Sequence, residues 1–309
     1  MLGKKVNRQM AATLLIIGGV IFGVAVWFFR DTISYYIKLY NAKQIGDRYY
    51  AEYKFINKNI KFGASEAKLD VYRPENGDGY PVLIFVHGGS WNSGEKELYA
   101  PVAQKFVPHG MVVVIPDYTL HPKVTYRAQT DEIAATIAWT IENISQFGGD
   151  PKRIIVSGHS AGAQLTALAL SDPQWLKAWN HSASEVCGYI GVSSPFDINA
   201  QMTFERSKGN ESKLLPAVFE GERNFANASA TTYLQLGFPP ALIIHGDSDT
   251  TVPFSISQTF NDKLVSLGGR SEFRLYEKTT HVGILFDALA QDPARLVTDM
   301  SGFVKNCKS

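Results

Sequence analysis

Arg153-Ile154-Ile155-Val156-Ser157-Gly158-His159-Ser160-Ala161-Gly162, running on through Ala163-Gln164-Leu165-Thr166-Ala167-Leu168-Ala169-Leu170, reads as a strand, a sharp turn and a helix. The β-branched run Arg153 to Ser157 suits a buried strand. Ser160 to Leu170 is a run of small and helix-favouring residues. Between them Gly158-His159-Ser160-Ala161-Gly162 fits G-x-S-x-G, in which a serine sits on a strained strand-to-helix turn. Small neighbours two residues either side are needed there, because side chains would clash with the adjoining strand and helix. The pentapeptide alone is weak; its strand–turn–helix setting gives it weight.

Outward from this segment, short β-rich runs alternate with longer helical ones. Ala51 to Phe62 and Lys68 to Arg73 suit an opening antiparallel pair. Val82 to Val86 and Met111 to Ile115 are continuous apolar runs, as central strands covered on both faces would be. Tyr126 to Phe147 has helical periodicity and stops at Gly148-Gly149-Asp150-Pro151. Tyr189 to Val192, Ala241 to Ile244 and Ser271 to Tyr276 follow as strands, and Ser255 to Leu267 and Ala294 to Lys305 as helices. This alternation predicts an α/β protein with a mostly parallel, doubly wound sheet, whose ligands bind beyond the carboxyl ends of the strands. Residues 199–235 interrupt it and suit a small helical cap.

Three further segments each follow a predicted strand. His87-Gly88-Gly89-Ser90-Trp91 follows Val82 to Val86, and its two glycines let bare backbone approach a ligand. With the N–H of Ala161, the amides of Gly88 and Gly89 would form an oxyanion hole. Trp91 suits a pocket wall, and His87 a structural role within the loop. His245-Gly246-Asp247-Ser248-Asp249-Thr250-Thr251-Val252-Pro253 offers Asp247 and Asp249 as carboxylates to hold a histidine. His281 follows the last strand and suits the base that activates Ser160. The order Ser, Asp, His differs from the chymotrypsin and subtilisin orders.

Taken together, H-G-G-x-W, G-x-S-A-G, H-G-x-x-D-x-x-V-P and a late histidine resemble the α/β-hydrolase carboxylesterases. Within them the pattern is most similar to the acetyl/feruloyl esterase, prenylcysteine methylesterase and kynurenine formamidase-like branch. The likeness runs from about Lys68 to the C-terminus. It implies the α/β-hydrolase fold with a small helical cap, and a Ser160–His281–Asp249 triad, since Asp249 matches the family's acid position. It also implies hydrolysis of carboxylic esters of small or medium acyl groups through an acyl-enzyme, with no metal or organic cofactor. An arylformamidase or amidase activity is the alternative, and a non-catalytic binding domain a further one.

Composition narrows the rest. The 309 residues are 45% hydrophobic and 19% charged, with 30 Lys+Arg against 29 Asp+Glu, so neither disorder nor a nucleic-acid partner is indicated. The two cysteines, Cys187 and Cys307, form no metal-ligand spacing, and one disulfide is open to them. Met10 to Phe29 carries no charge. At about 1.5 Å per residue, roughly 20 helical residues span about 30 Å, the thickness of a bilayer core. Lys4, Lys5 and Arg8 precede it, so residues 1–30 read as a cytoplasmic tip and one transmembrane helix anchored in the lipid bilayer. A cleaved signal ending near Gly23-Val24-Ala25 and a buried core helix are the competing readings. Residues 31–53 read as a juxtamembrane linker, in which Ser34 to Lys43 suits a short helix at the bilayer surface or packed on the domain. Residues 54–309 read as the catalytic domain, placed outside the cytoplasm: periplasmic, extracellular or lumenal.

Overall fold

The structure, a computed structural model, describes residue 34, residues 36–290 and residues 294–307. The chain divides into two compact units, Met1–Asn41 and Ala42–Ser309. In the first, residues 36–41 are helical, with Tyr36, Ile37 and Tyr40 exposed. Among the described residues no helix is long and apolar enough to cross a membrane. The run Met10 to Phe29, read above as a transmembrane helix, lies outside them.

In the second unit residues 42–52 are helical, so the strand expected from Ala51 begins only at Ile56. Aromatic packing explains the helix. Tyr49 stacks on Tyr53 at 4.7 Å and on Tyr72 at 6.0 Å, which docks this helix on the sheet.

Among the described residues eight strands form one sheet, in the order β1 (Ile56–Lys61), β2 (Lys68–Tyr72), β4 (Val112–Pro116), β3 (Tyr80–Val86), β5 (Gly149–His159), β6 (Gly188–Val192), β7 (Ala241–Gly246), β8 (Ser271–Tyr276). β2 pairs antiparallel with β1 and β4; every later pair is parallel. From β3 the chain steps to β4 on one side and then to β5 on the other. That reversal is the point where open α/β sheets bind ligands. It places the carboxyl ends of β3 and β5 side by side, with Val86 opposite Gly158.

The apolar runs Val82–Val86 and Val112–Ile115 are fully buried, as strands covered on both faces require. The helix Ala161–Ser171 is buried along its whole length and packs on β5, β6 and the helix Tyr126–Asn143. Residues 199–235 are largely helical, in the segments Ile198–Ser207, Leu214–Val218, Phe225–Ala228 and Ala230–Tyr233. Phe219, among them, packs edge-on against Trp91 at 4.9 Å. Gln201 Nε2 donates to Thr251 O at 2.9 Å, which ties this insertion to the loop after β7. Cys187, just before β6, is disulfide-bonded to Cys307, just after the helix Arg295–Lys305.

Candidate active site

Four loops at the carboxyl edge of the sheet carry the site. The turn after β5 is tight. Ser160 has φ 53° and ψ −121°, a conformation that L-residues adopt only under constraint. Its amide donates to Val192 O at 2.9 Å, pinning the turn to the end of β6. The glycines are steric necessities. A Cβ on Gly158 would lie 2.6 Å from Gly162 C, and one on Gly162 would lie 2.3 Å from His87 O.

Ser160 Oγ lies 2.9 Å from His281 Nε2, and His281 Nδ1 lies 2.7 Å from Asp249 Oδ2. A carboxylate only accepts, so Nδ1 carries the imidazole proton and Nε2 is left to accept from the serine hydroxyl. Of the two aspartates left open by residue chemistry, Asp249 is 8% exposed and meets His281. Asp247 is exposed and accepts from the Ser248 hydroxyl.

Asp249 has both carboxylate oxygens filled. Oδ1 accepts from the amides of Thr251 at 2.8 Å and Val252 at 2.9 Å. Oδ2 accepts from His245 Nε2 at 3.0 Å as well as from His281. Burial alone would push this carboxyl up. The charge of His281 and the hydrogen bonds from both histidines outweigh it and hold Asp249 well below the usual carboxylate range. His245 is fully buried, and its Nδ1 lies 2.7 Å from Ser257 Oγ. Its partnership with Asp249 was not visible from its position in the H-G-x-x-D segment.

The loop after β3 departs from expectation at two positions. Gly88 N–H donates to the Tyr99 hydroxyl at 3.0 Å, so this amide is engaged inside the protein. Among the described residues no such acceptor meets the amides of Gly89 and Ala161. Trp91, expected on the pocket wall, is 4% exposed and belongs to the core. A left-handed backbone at Ser90 and Trp91 tips the indole inward, where Nε1 donates to Gln164 Oε1 at 2.9 Å. His87 is structural, as expected. It is fully buried, stacks on Tyr118 at 4.4 Å, and donates from Nδ1 to Gly88 O at 2.8 Å. Burial lowers its imidazole to about 4. Among the described residues no cluster of His, Cys, Asp and Glu is arranged to hold a metal ion.

A fold of this topology, with a serine at the elbow after β5 facing a histidine and an aspartate from later loops, defines an α/β-hydrolase. Residues 69–264 match the BD-FAE family, and the chain belongs to it. An isoprenylcysteine alpha-carbonyl methylesterase of Arabidopsis thaliana is 31% identical over 256 residues, which is 78% of this chain and 59% of that protein. Esterase LipQ of Mycobacterium tuberculosis is 29% identical, over 77% of this chain and 58% of that protein. The match therefore spans somewhat over half the length of these relatives. A thermophilic esterase of Thermogutta terrifontis, solved with butyrate bound, shares the fold with a TM-score of 0.62 at 22% identity, covering 80% of this chain and 92% of that one.

Proposed function

We propose that this chain is a serine hydrolase that cleaves carboxylic esters of small or medium acyl groups. The observation that carries the reading is the unbroken line from Ser160 Oγ through His281 to the buried Asp249. His281 Nε2 takes the hydroxyl proton as Ser160 attacks the ester carbonyl. Asp249 holds the tautomer and stabilises the imidazolium that forms. The amides of Gly89 and Ala161 stabilise the tetrahedral oxyanion; losing one such donor costs about 3–4 kcal/mol in comparable sites. His281 returns the proton to the departing alcohol, and water activated by the same imidazole hydrolyses the acyl-enzyme. The esterase and methylesterase names of the relatives support an ester substrate.

Turnover of a nitrophenyl ester series of rising acyl length tests this reading. The wild-type chain is expected to hydrolyse the short members, and Ser160→Ala to lose that activity. Hydrolysis retained in Ser160→Ala would refute it.

We further infer a single-pass anchor at Met10 to Phe29, with the N-terminus cytoplasmic and the hydrolase domain outside the cytoplasm. The uncharged run after Lys4, Lys5 and Arg8 supports the anchor, and the Cys187–Cys307 disulfide suits an oxidising compartment. Resistance to alkaline carbonate extraction is expected. A chain that washes off the membrane would exclude the anchor.

A further inference from the structure

Two buried polar side chains beside the site take no part in the chemistry above. His159, the variable residue of the elbow, and Tyr99, just before the helix Ala100–Phe106, are each 3% exposed. A buried polar group without a partner is costly, so the destination of their hydrogen bonds is informative. His159 Nε2 lies 3.0 Å from the main-chain oxygen of His281. A carbonyl only accepts, so Nε2 carries the proton and Nδ1 is an acceptor. That Nδ1 faces the Tyr99 hydroxyl at 3.5 Å. The same hydroxyl accepts from the Gly88 amide at 3.0 Å, and toward the acceptor Nδ1 of His159 it can only be the donor. Donor and acceptor chemistry thus sets one direction for the whole chain of contacts: Gly88 N–H to Tyr99, Tyr99 O–H to His159, His159 N–H to His281 C=O.

Packing closes the arrangement. Phe286 lies against both rings, 5.6 Å from Tyr99 and 6.5 Å from His159. A Cβ on Gly88 would come within 3.0 Å of His159 O and 3.1 Å of Ser160 Cβ, so the loop sits hard on the elbow. Burial, aided by the charge of His281, lowers the His159 imidazole to about 3, so the ring stays neutral and keeps its donor and acceptor ends.

We propose that Tyr99 and His159 are positioning residues that form a buried polar brace, fixing the spacing between the loop of Gly88 and Gly89 and the loop of His281 around Ser160. Sheet pairing does not supply this link, because β5, β6 and β7 separate β3 from β8. The brace grips main-chain atoms on both sides, and the His159 ring also packs against the His281 ring, with centroids 5.0 Å apart. It rests on the reading of Ser160 as nucleophile.

The test is kcat and KM for a nitrophenyl ester in the wild type, Tyr99→Phe, His159→Gln, His159→Phe and the Tyr99→Phe/His159→Phe double variant, with Ser160→Ala as blank and melting temperature recorded throughout. Tyr99→Phe and His159→Phe are each expected to lower kcat about tenfold with KM little changed. His159→Gln, whose amide N–H can reach the His281 carbonyl, is expected to recover most of that loss. The double variant is expected to be no worse than the poorer single one, because both break one device. Losses that multiply, or that fall on KM alone, would overturn the brace. So would Tyr99→Phe at wild-type kcat, an outcome that decides the matter even where His159→Phe does not fold. Absence of Ser160-dependent turnover in the wild type would instead overturn the nucleophile reading, and the brace with it.

Discussion

Asp249 accepts four hydrogen bonds, two from backbone amides and two from imidazoles, and only one of the four leads to Ser160. The other three hold the carboxylate charged and turned toward His281. Asp249→Asn can present an amide N–H to His281 Nδ1 and favour the wrong tautomer, so kcat is expected to fall by about 10³–10⁴-fold, read by steady-state kinetics. His245→Phe removes one charge-assisted bond and is expected to lower kcat about tenfold, with His245→Gln closer to wild type. The buried neutral histidines set an acid limit on stability. Unfolded, His87 and His159 bind protons below about pH 6.5. Folded, burial holds them neutral down to about 4 and about 3. The unfolded state therefore binds more protons throughout that window, and stability falls as pH drops from 6.5 toward 4, by on the order of 3 kcal/mol per histidine at most. Urea midpoints measured across this range should decline less steeply in His159→Gln than in the wild type.

Elements supply the steric frame for these residues. The helix Ala161–Ser171 starts so close to β3 that Gly162 has no room for a methyl group; its Cβ would lie 2.4 Å from Val86 O. Gly162→Ala is expected to lower the melting temperature by about 10 °C or to prevent folding, as seen by circular dichroism. The central strands were legible because strands covered on both faces read as unbroken apolar runs. Ser271 to Tyr276 matched β8 to the residue. The helices Ala100–Phe106 and Gly283–Ala290 were not legible. The first is short and carries a proline in its first turn, and the second is apolar around most of its circumference, so neither shows a period. Ser160, Asp249 and His281 stood out because each closely follows a strand end. Trp91, Gly88 and Tyr99 did not yield their roles, since their partners lie elsewhere in the chain. The Trp91 indole meets Gln164, 73 residues away.

Across the whole molecule, the reversal of strand order at β3 and β5 brings the loop after Val86 beside the elbow, while β7 and β8 deliver Asp249 and His281 from the far side of β6. The Cys187–Cys307 bond closes a loop with a sequence separation of 120 and ties the C-terminal helix to the start of β6. Such cross-links typically contribute about 2–4 kcal/mol. Under reductant, or in Cys187→Ser/Cys307→Ser, the melting temperature is expected to fall by about 5–10 °C, measured by calorimetry. In the proposed mechanism this topology makes Ser160 Oγ the atom that receives the acyl group. Rapid quenching of a nitrophenyl ester reaction, followed by peptide mass spectrometry, locates that group. One acyl mass is expected on the peptide bearing Ser160, and none in Ser160→Ala. An acyl group on a different residue, or wild-type turnover in Ser160→Ala, would contradict it.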